Sequence, residues 1–169
     1  MNDANENRLR DVIPFVAKNR DGRQRVAVGE LVAEVCEAFE SRFAKCAVIA
    51  EADVPAEHVA WADRDELRRA LEQLVENAVA AMPRGGQLTV ISHVGSRGLE
   101  LEVAGNGEAF FGDNRCLAIG PIRRSRGLGL PLVESLAETH GGTVTAVHCP
   151  EGGAAVTLLL PHRAMKAAA

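Results

Sequence analysis

Between Asp65 and Met82 the apolar residues Leu67, Leu71, Leu74, Val75, Ala78 and Met82 fall on one arc at about 100° per residue, and Pro83, Gly85 and Gly86 close the segment. Such a stretch must be a helix with one buried face, and that face needs a surface to cover it. The following residues predict one. Leu88 to His93 and Leu99 to Val103 alternate or cluster apolar side chains around Gly95, Ser96, Arg97 and Gly98, the pattern of two antiparallel strands joined by a loop. Upstream, Val26 to Val28 is a short strand candidate. Glu30 to Phe43 is an amphipathic helix on Leu31, Val32, Val35, Ala38 and Phe39, and Ala47 to Ala52 is a strand closed by Asp53, Val54 and Pro55.

Downstream, periodicity disappears from Gly105 to Gly129, where glycines and arginines dominate and a long functional or mobile loop is expected. Leu130 to His140 is helical, with Pro131 tolerated in the first turn and Gly141 and Gly142 as the stop. Thr143 to His148 and Ala154 to Leu160 form a final hairpin around Pro150, Glu151, Gly152 and Gly153. This order predicts an α/β two-layer sandwich, a mixed and mostly antiparallel sheet with helices on one face. The expected organisation is a leader or linker over 1–25, one domain over 26–162 and a tail over 163–169.

A chain of 169 residues corresponds to about one domain. Its formal charge of −4 argues against a protein that coats nucleic acid, which carries a basic surplus. No run approaches the roughly 18 apolar residues of a membrane span, and MNDANENRLRD lacks the apolar stretch of a secretory signal. A cytoplasmic protein without membrane contact is expected. The four cysteines, Cys36, Cys46, Cys116 and Cys149, are far apart and form no CxxC pair, so free buried thiols are expected rather than a metal site.

Two constellations could carry chemistry. Gln73 and Asn77 are four residues apart, on one edge of the Asp65–Met82 helix beside its apolar stripe. Either both meet solvent at the helix rim, or Asn77 gives a neutral oxygen to Mg2+, a hard cation that keeps several waters; Glu76 is a weaker candidate. The second is SRGLGLPLVESLAETHGG, Ser125 to Gly142, where a glycine turn runs into a helix. Without side chains at Gly127 and Gly129, phosphate oxygens can approach the backbone, and the helix start at Leu130 offers unpaired N–H groups and a positive dipole end. Arg123, Arg124 and Arg126 add charge that could offset a triphosphate. The bland alternative is a flexible turn followed by a solvated basic run.

In order along the chain, LRRALEQLVENAVAAMPRGGQLTV, then LELEVAGNGEAF, then SRGLGLPLVESLAETHGGTV resembles the ATP-binding catalytic domain of sensor histidine kinases. That domain belongs to the superfamily shared with gyrase, a heat-shock chaperone and mismatch-repair proteins, the Bergerat fold. The resemblance runs from about Val26 to Pro161. It implies ATP and Mg2+ as cofactors, with Asn77 matching the asparagine that binds magnesium. Gln73 stands where hydrolytic relatives have a glutamate base, so the site would activate water poorly, which suits phosphoryl transfer. Gly127, Leu128, Gly129 and Leu130 match the second glycine box, whose backbone contacts phosphates beneath a lid that would span Glu108 to Arg126.

The first glycine box matches Gly105, Asn106, Gly107, Glu108 and Ala109. The family's adenine-reading aspartate is therefore Gly105 here, and its last glycine is Ala109. Loss of a charged hydrogen bond costs about 1.5–3 kcal/mol unless a water or Asn106 substitutes. The implied partners are a histidine-containing phosphoacceptor domain and a response regulator in a two-component phosphorelay. No histidine lies in Met1 to Arg25, so the acceptor would be on a partner or a missing domain. His140, at a helix C-terminus, is expected to be a satisfied structural histidine. Two alternatives stand beside the kinase: a degenerate pseudo-ATPase serving as a docking or phosphotransfer adaptor, and an anti-sigma-type serine kinase.

Overall fold

The computed structural model describes residues 22–107, 120–121, 130–149 and 152–162. Strand β1 (Gln24–Ala27) leads into helix α1 (Val28–Cys46), followed by β2 (Val48–Asp53), β3 (Val59–Ala62), α2 (Arg64–Ala80), β4 (Gly86–Val94), β5 (Gly98–Gly105), β6 (Gly120–Pro121), α3 (Leu130–His140), β7 (Thr143–His148) and β8 (Ala154–Pro161). Six strands form one sheet in the order β2-β4-β5-β8-β7-β6, and β1 pairs with β3 in a separate two-stranded ribbon. The β2–β4 pair is parallel and every other pair antiparallel. This is the expected mixed two-layer sandwich.

Alternation along the strands sets the layers. Leu88 and Val90 on β4, Leu101 and Val103 on β5, and Val156 and Leu158 on β8 are buried in one core with Leu67, Leu71, Leu74 and Ala78 of α2 and Val133 and Ala137 of α3. The intervening Thr89, Ile91, Glu100, Glu102 and Thr157 lie on the opposite, more open face.

Several boundaries differ from the sequence reading. Val28 opens α1 instead of closing a strand, and α1 runs through Cys46. Its N-cap, Ala27, makes no side-chain cap bond, so the usual polar start signal is missing. Its end is equally unmarked, because the C-cap Ala47 takes a left-handed conformation with φ 52° where glycine is usual. Ala47 is held there by the Gly85–Gly86 turn: its carbonyl accepts the Gly86 N–H at 3.3 Å, and a Cβ on Gly85 would lie 2.8 Å from that oxygen. β1 begins at Gln24, so the expected leader boundary at residue 25 falls inside a strand. β3 was not expected at all, and the stretch from Gly105 to Gly129, read as loop, contains β6 paired with β7.

Helix α2 starts one residue before the expected Asp65, capped by Asp63, whose Oδ1 accepts the N–H groups of Asp65 at 3.0 Å and Glu66 at 3.1 Å. A second brace acts at the same point. His140 is buried at the end of α3; its Nδ1–H donates to the Leu136 carbonyl at 2.8 Å and its Nε2 accepts the Asp63 N–H at 3.3 Å. The imidazole is thus the neutral Nδ1–H tautomer, satisfied on both sides, and ties the C-terminus of α3 to the N-cap of α2.

Candidate active site

Asn77 lies in the C-terminal half of α2 and is 5% exposed, although on helical spacing alone the rim of the helix was an alternative for it. A turn from elsewhere in the chain packs close by. The Gly105–Asn106–Gly107 turn after β5 packs on the end of α2 so closely that a Cβ on Gly107 would lie 2.3 Å from the Ala81 carbonyl oxygen and 2.8 Å from Met82 Cγ. The Asn77 carbonyl in turn accepts the Ala81 N–H at 3.1 Å, so the turn is seated one helical step from Asn77. A buried amide needs partners. Half-buried Gln73 provides one, its Nε2–H donating to Asn77 Oδ1 at 3.0 Å. The two amides expected from sequence are therefore joined, with Gln73 fixing the orientation of Asn77.

Glu76 does not belong to this pair. Its Oε2 accepts from Arg42 Nη1 of α1, because neighbouring positions on a helix diverge by about 100°. That ion pair turns the carboxylate toward α1.

The first glycine box is held by backbone pairing. The Asn106 N–H donates to the Gln87 carbonyl at 3.2 Å and the Gln87 N–H donates to Asn106 Oδ1 at 2.8 Å, which extends the β4–β5 ladder. Asn106 Oδ1 is thereby already engaged. Gly105 is buried and lies in register with Leu88 on one side and Ala154 on the other. Neither neighbour has a polar side-chain atom, so neither replaces the carboxylate missing at Gly105.

Leu130 begins α3 with its side chain in the core at 1% exposure, leaving its backbone as the group that a ligand could meet. Arg123, Arg124, Arg126, Gly127, Leu128, Gly129, Glu108 and Ala109 lie outside the described residues. Sequence reading missed Glu134. One turn into α3, its Oε1 is buried with no hydrogen-bond partner. The signal in the sequence was an acid set within the apolar run LPLVESLA. The neutral, hard oxygen of Asn77 suits Mg2+ better than a soft metal.

Among the described residues no cluster of three or more His, Cys, Asp or Glu side chains could hold a metal ion, and no helix is long and apolar enough to cross a membrane. Cys36, Cys46 and Cys149 are free thiols, with burial pushing Cys36 above the usual thiol range; Cys116 lies outside the described residues.

The profile of the family described as histidine kinase-, DNA gyrase B-, and HSP90-like ATPase matches residues 62–164. The chain belongs to this ATPase family. The sensor histidine kinase ZraS of Klebsiella oxytoca is 34% identical over 105 residues, covering 59% of this chain and 23% of ZraS. The histidine protein kinase DivJ of Caulobacter vibrioides is 36% identical over 116 residues, covering 63% of this chain and 19% of DivJ. The chain thus spans less than a quarter of the length of either relative. Among solved structures, the catalytic domain of histidine kinase ThkA superposes with a TM-score of 0.68 at 20% identity, covering 82% of this chain and 95% of that domain. The ATP-binding domain of PrrB from Mycobacterium tuberculosis gives 0.62 at 23%, covering 85% and 99%. ThkA in complex with the response regulator protein TrrA gives 0.64 at 21%, covering 82% and 41%.

Proposed function

We propose that this chain is the ATP-binding catalytic module of a sensor histidine kinase, passing the γ-phosphoryl group of ATP to a histidine on a partner or on another domain. The observation that carries this reading is the buried Asn77, oriented by Gln73, with the Gly107 turn packed on the end of the same helix. Asn77 would hold Mg2+ through Oδ1, and the ion would neutralise charge on the phosphates. The backbone from Gly127 to Leu130 at the start of α3 would receive phosphate oxygens, with Arg124 and Arg126 adding charge. Gln73 is a neutral amide and cannot take a proton from water, so the site orients without promoting hydrolysis. The phosphorus–oxygen bond to ADP would then break as a phosphorus–nitrogen bond forms to the acceptor imidazole. The family membership and the ThkA–TrrA complex support a response regulator as the downstream partner.

One observation favours a second reading, a degenerate module that binds nucleotide weakly and serves as a docking or phosphotransfer adaptor. Gly105 and its register partners Leu88 and Ala154 supply no side-chain acceptor at that end of the strands. Calorimetric titration with ATP and ADP, each with and without Mg2+, separates the two. The kinase reading expects micromolar, Mg2+-dependent binding; a folded chain that shows no heat at millimolar nucleotide would leave only the adaptor.

A further inference from the structure

A second concave site lies far from Asn77. It is a cavity of about 240 Å³ between the β1–β3 ribbon and the ends of β5 and β8, lined by Val59, Trp61, Leu99, Leu160 and Pro161, with Ala60 as floor and Arg25 and His162 at the rim. Leu99 and Leu160 are opposite each other in register, as are Gly105 and Ala154 at the other end of the same two strands. Six residues of strand separate the pairs, roughly 20 Å. The cavity is therefore distinct from the candidate nucleotide site.

Its chemistry is one-sided. Arg25 is directly opposite Trp61 across the ribbon, and the inward positions of both strands are Val26, Ala60 and Ala62, so Arg25 and Trp61 share the outer face. Arg25 is exposed, and among the described residues no ion pair or hydrogen bond holds its guanidinium. Among the described residues no carboxylate lines the cavity. The ring of His162 is pinned, its Nε2–H donating to the Gly95 carbonyl at 2.8 Å, while its backbone N–H reaches the Arg97 carbonyl at 3.3 Å. An aromatic and aliphatic pocket with a guanidinium at its mouth selects an apolar body carrying negative charge. At a volume below the roughly 300–1,000 Å³ of sites for drug-sized ligands, it accommodates one or two rings.

We infer that this cavity binds a small organic anion, an aromatic or branched hydrocarbon bearing a carboxylate or sulfonate, with Arg25 holding the anionic group and Trp61, Leu99, Leu160 and Pro161 the apolar part. Trp61 is the only tryptophan in the chain, so its indole N–H gives a single resonance that reports on the cavity. Titration of the full chain with 2-naphthoate, followed by 1H–15N NMR, is expected to shift that resonance saturably together with the backbone amides of Arg25, Leu99 and His162. Arg25→Gln, at an exposed position that leaves the core untouched, should weaken naphthoate about tenfold. The uncharged 2-naphthylmethanol should bind the wild type about tenfold more weakly than naphthoate and be indifferent to the substitution. Equal naphthoate affinity in both proteins would overturn the proposal. So would shifts confined to residues around Gly105 and Asn77, which would assign the anion to the nucleotide site, or an indole shift that follows protein concentration instead of ligand, which would give the cavity to a second copy of the chain.

Discussion

Asn77 and Gln73 show how a polar pair inside a helical layer differs from one at its surface. Their spacing is legible because residues four apart share a helix edge, but the burial of Asn77 is not, since helical spacing does not say what packs over that edge. Glu134 was missed for a related reason: an isolated acid in an apolar helix gives no sign of which neighbours surround it. Gly105 was legible as a departure from the glycine-box pattern; that its cross-strand partner Ala154 lacks a polar side chain became visible only in the register. Adding an acceptor at Gly105 is therefore expected to strengthen adenine recognition. Gly105→Asp is expected to raise the preference for ATP over GTP by about tenfold, through one charged hydrogen bond to the adenine amino group. Competition binding, with circular dichroism to verify the fold, measures this, and an unchanged ratio would mean that the base lies elsewhere.

At the scale of elements, the helices and large strands were legible where bulky apolar residues mark the inner face. β3 escaped because its inward residues are Ala60 and Ala62, whereas its one large side chain, Trp61, is turned to the outer cavity. The ends of α1 escaped because Ala27 and Ala47 occupy positions that usually carry a polar cap and a glycine. Ala47 at φ 52° bears the cost of a left-handed conformation with a Cβ. Ala47→Gly should therefore stabilise the chain by about 0.5–1 kcal/mol, read as a higher urea midpoint at an unchanged slope. In the opposite direction, Asp63→Ala removes the acceptor for two N–H groups of α2 and should cost about 1 kcal/mol in the same experiment. The His140 brace accepts from the Asp63 backbone and persists in this variant, so the loss should stay local to the cap.

For the whole molecule, the two layers bring α2, α3 and the end of β5 together at one end of the sheet, and the β1–β3 ribbon closes off the other. The layer architecture followed from element order, since helices with one apolar face must cover one face of the sheet. Thiol chemistry follows from that burial. Cys36 packs against the core, and desolvation raises its pKa, so less of it is thiolate near neutrality. Iodoacetamide should modify Cys36 more slowly than an exposed thiol at pH 8, with the difference narrowing as pH rises through the raised pKa; peptide mass mapping after timed quenching gives the rates.

In the proposed kinase, metal-bound nucleotide meets the oxygen of Asn77. Mn2+ accepts the same oxygen ligands as Mg2+ and broadens NMR signals close to it, so the side-chain amide resonances can be followed as Mn2+–ATP is added to Mg2+–ATP-saturated protein. The Asn77 and Gln73 amide signals are expected to broaden first, with the Trp61 indole far less affected. Sharp Asn77 and Gln73 signals in the presence of bound Mn2+–ATP would contradict that contact.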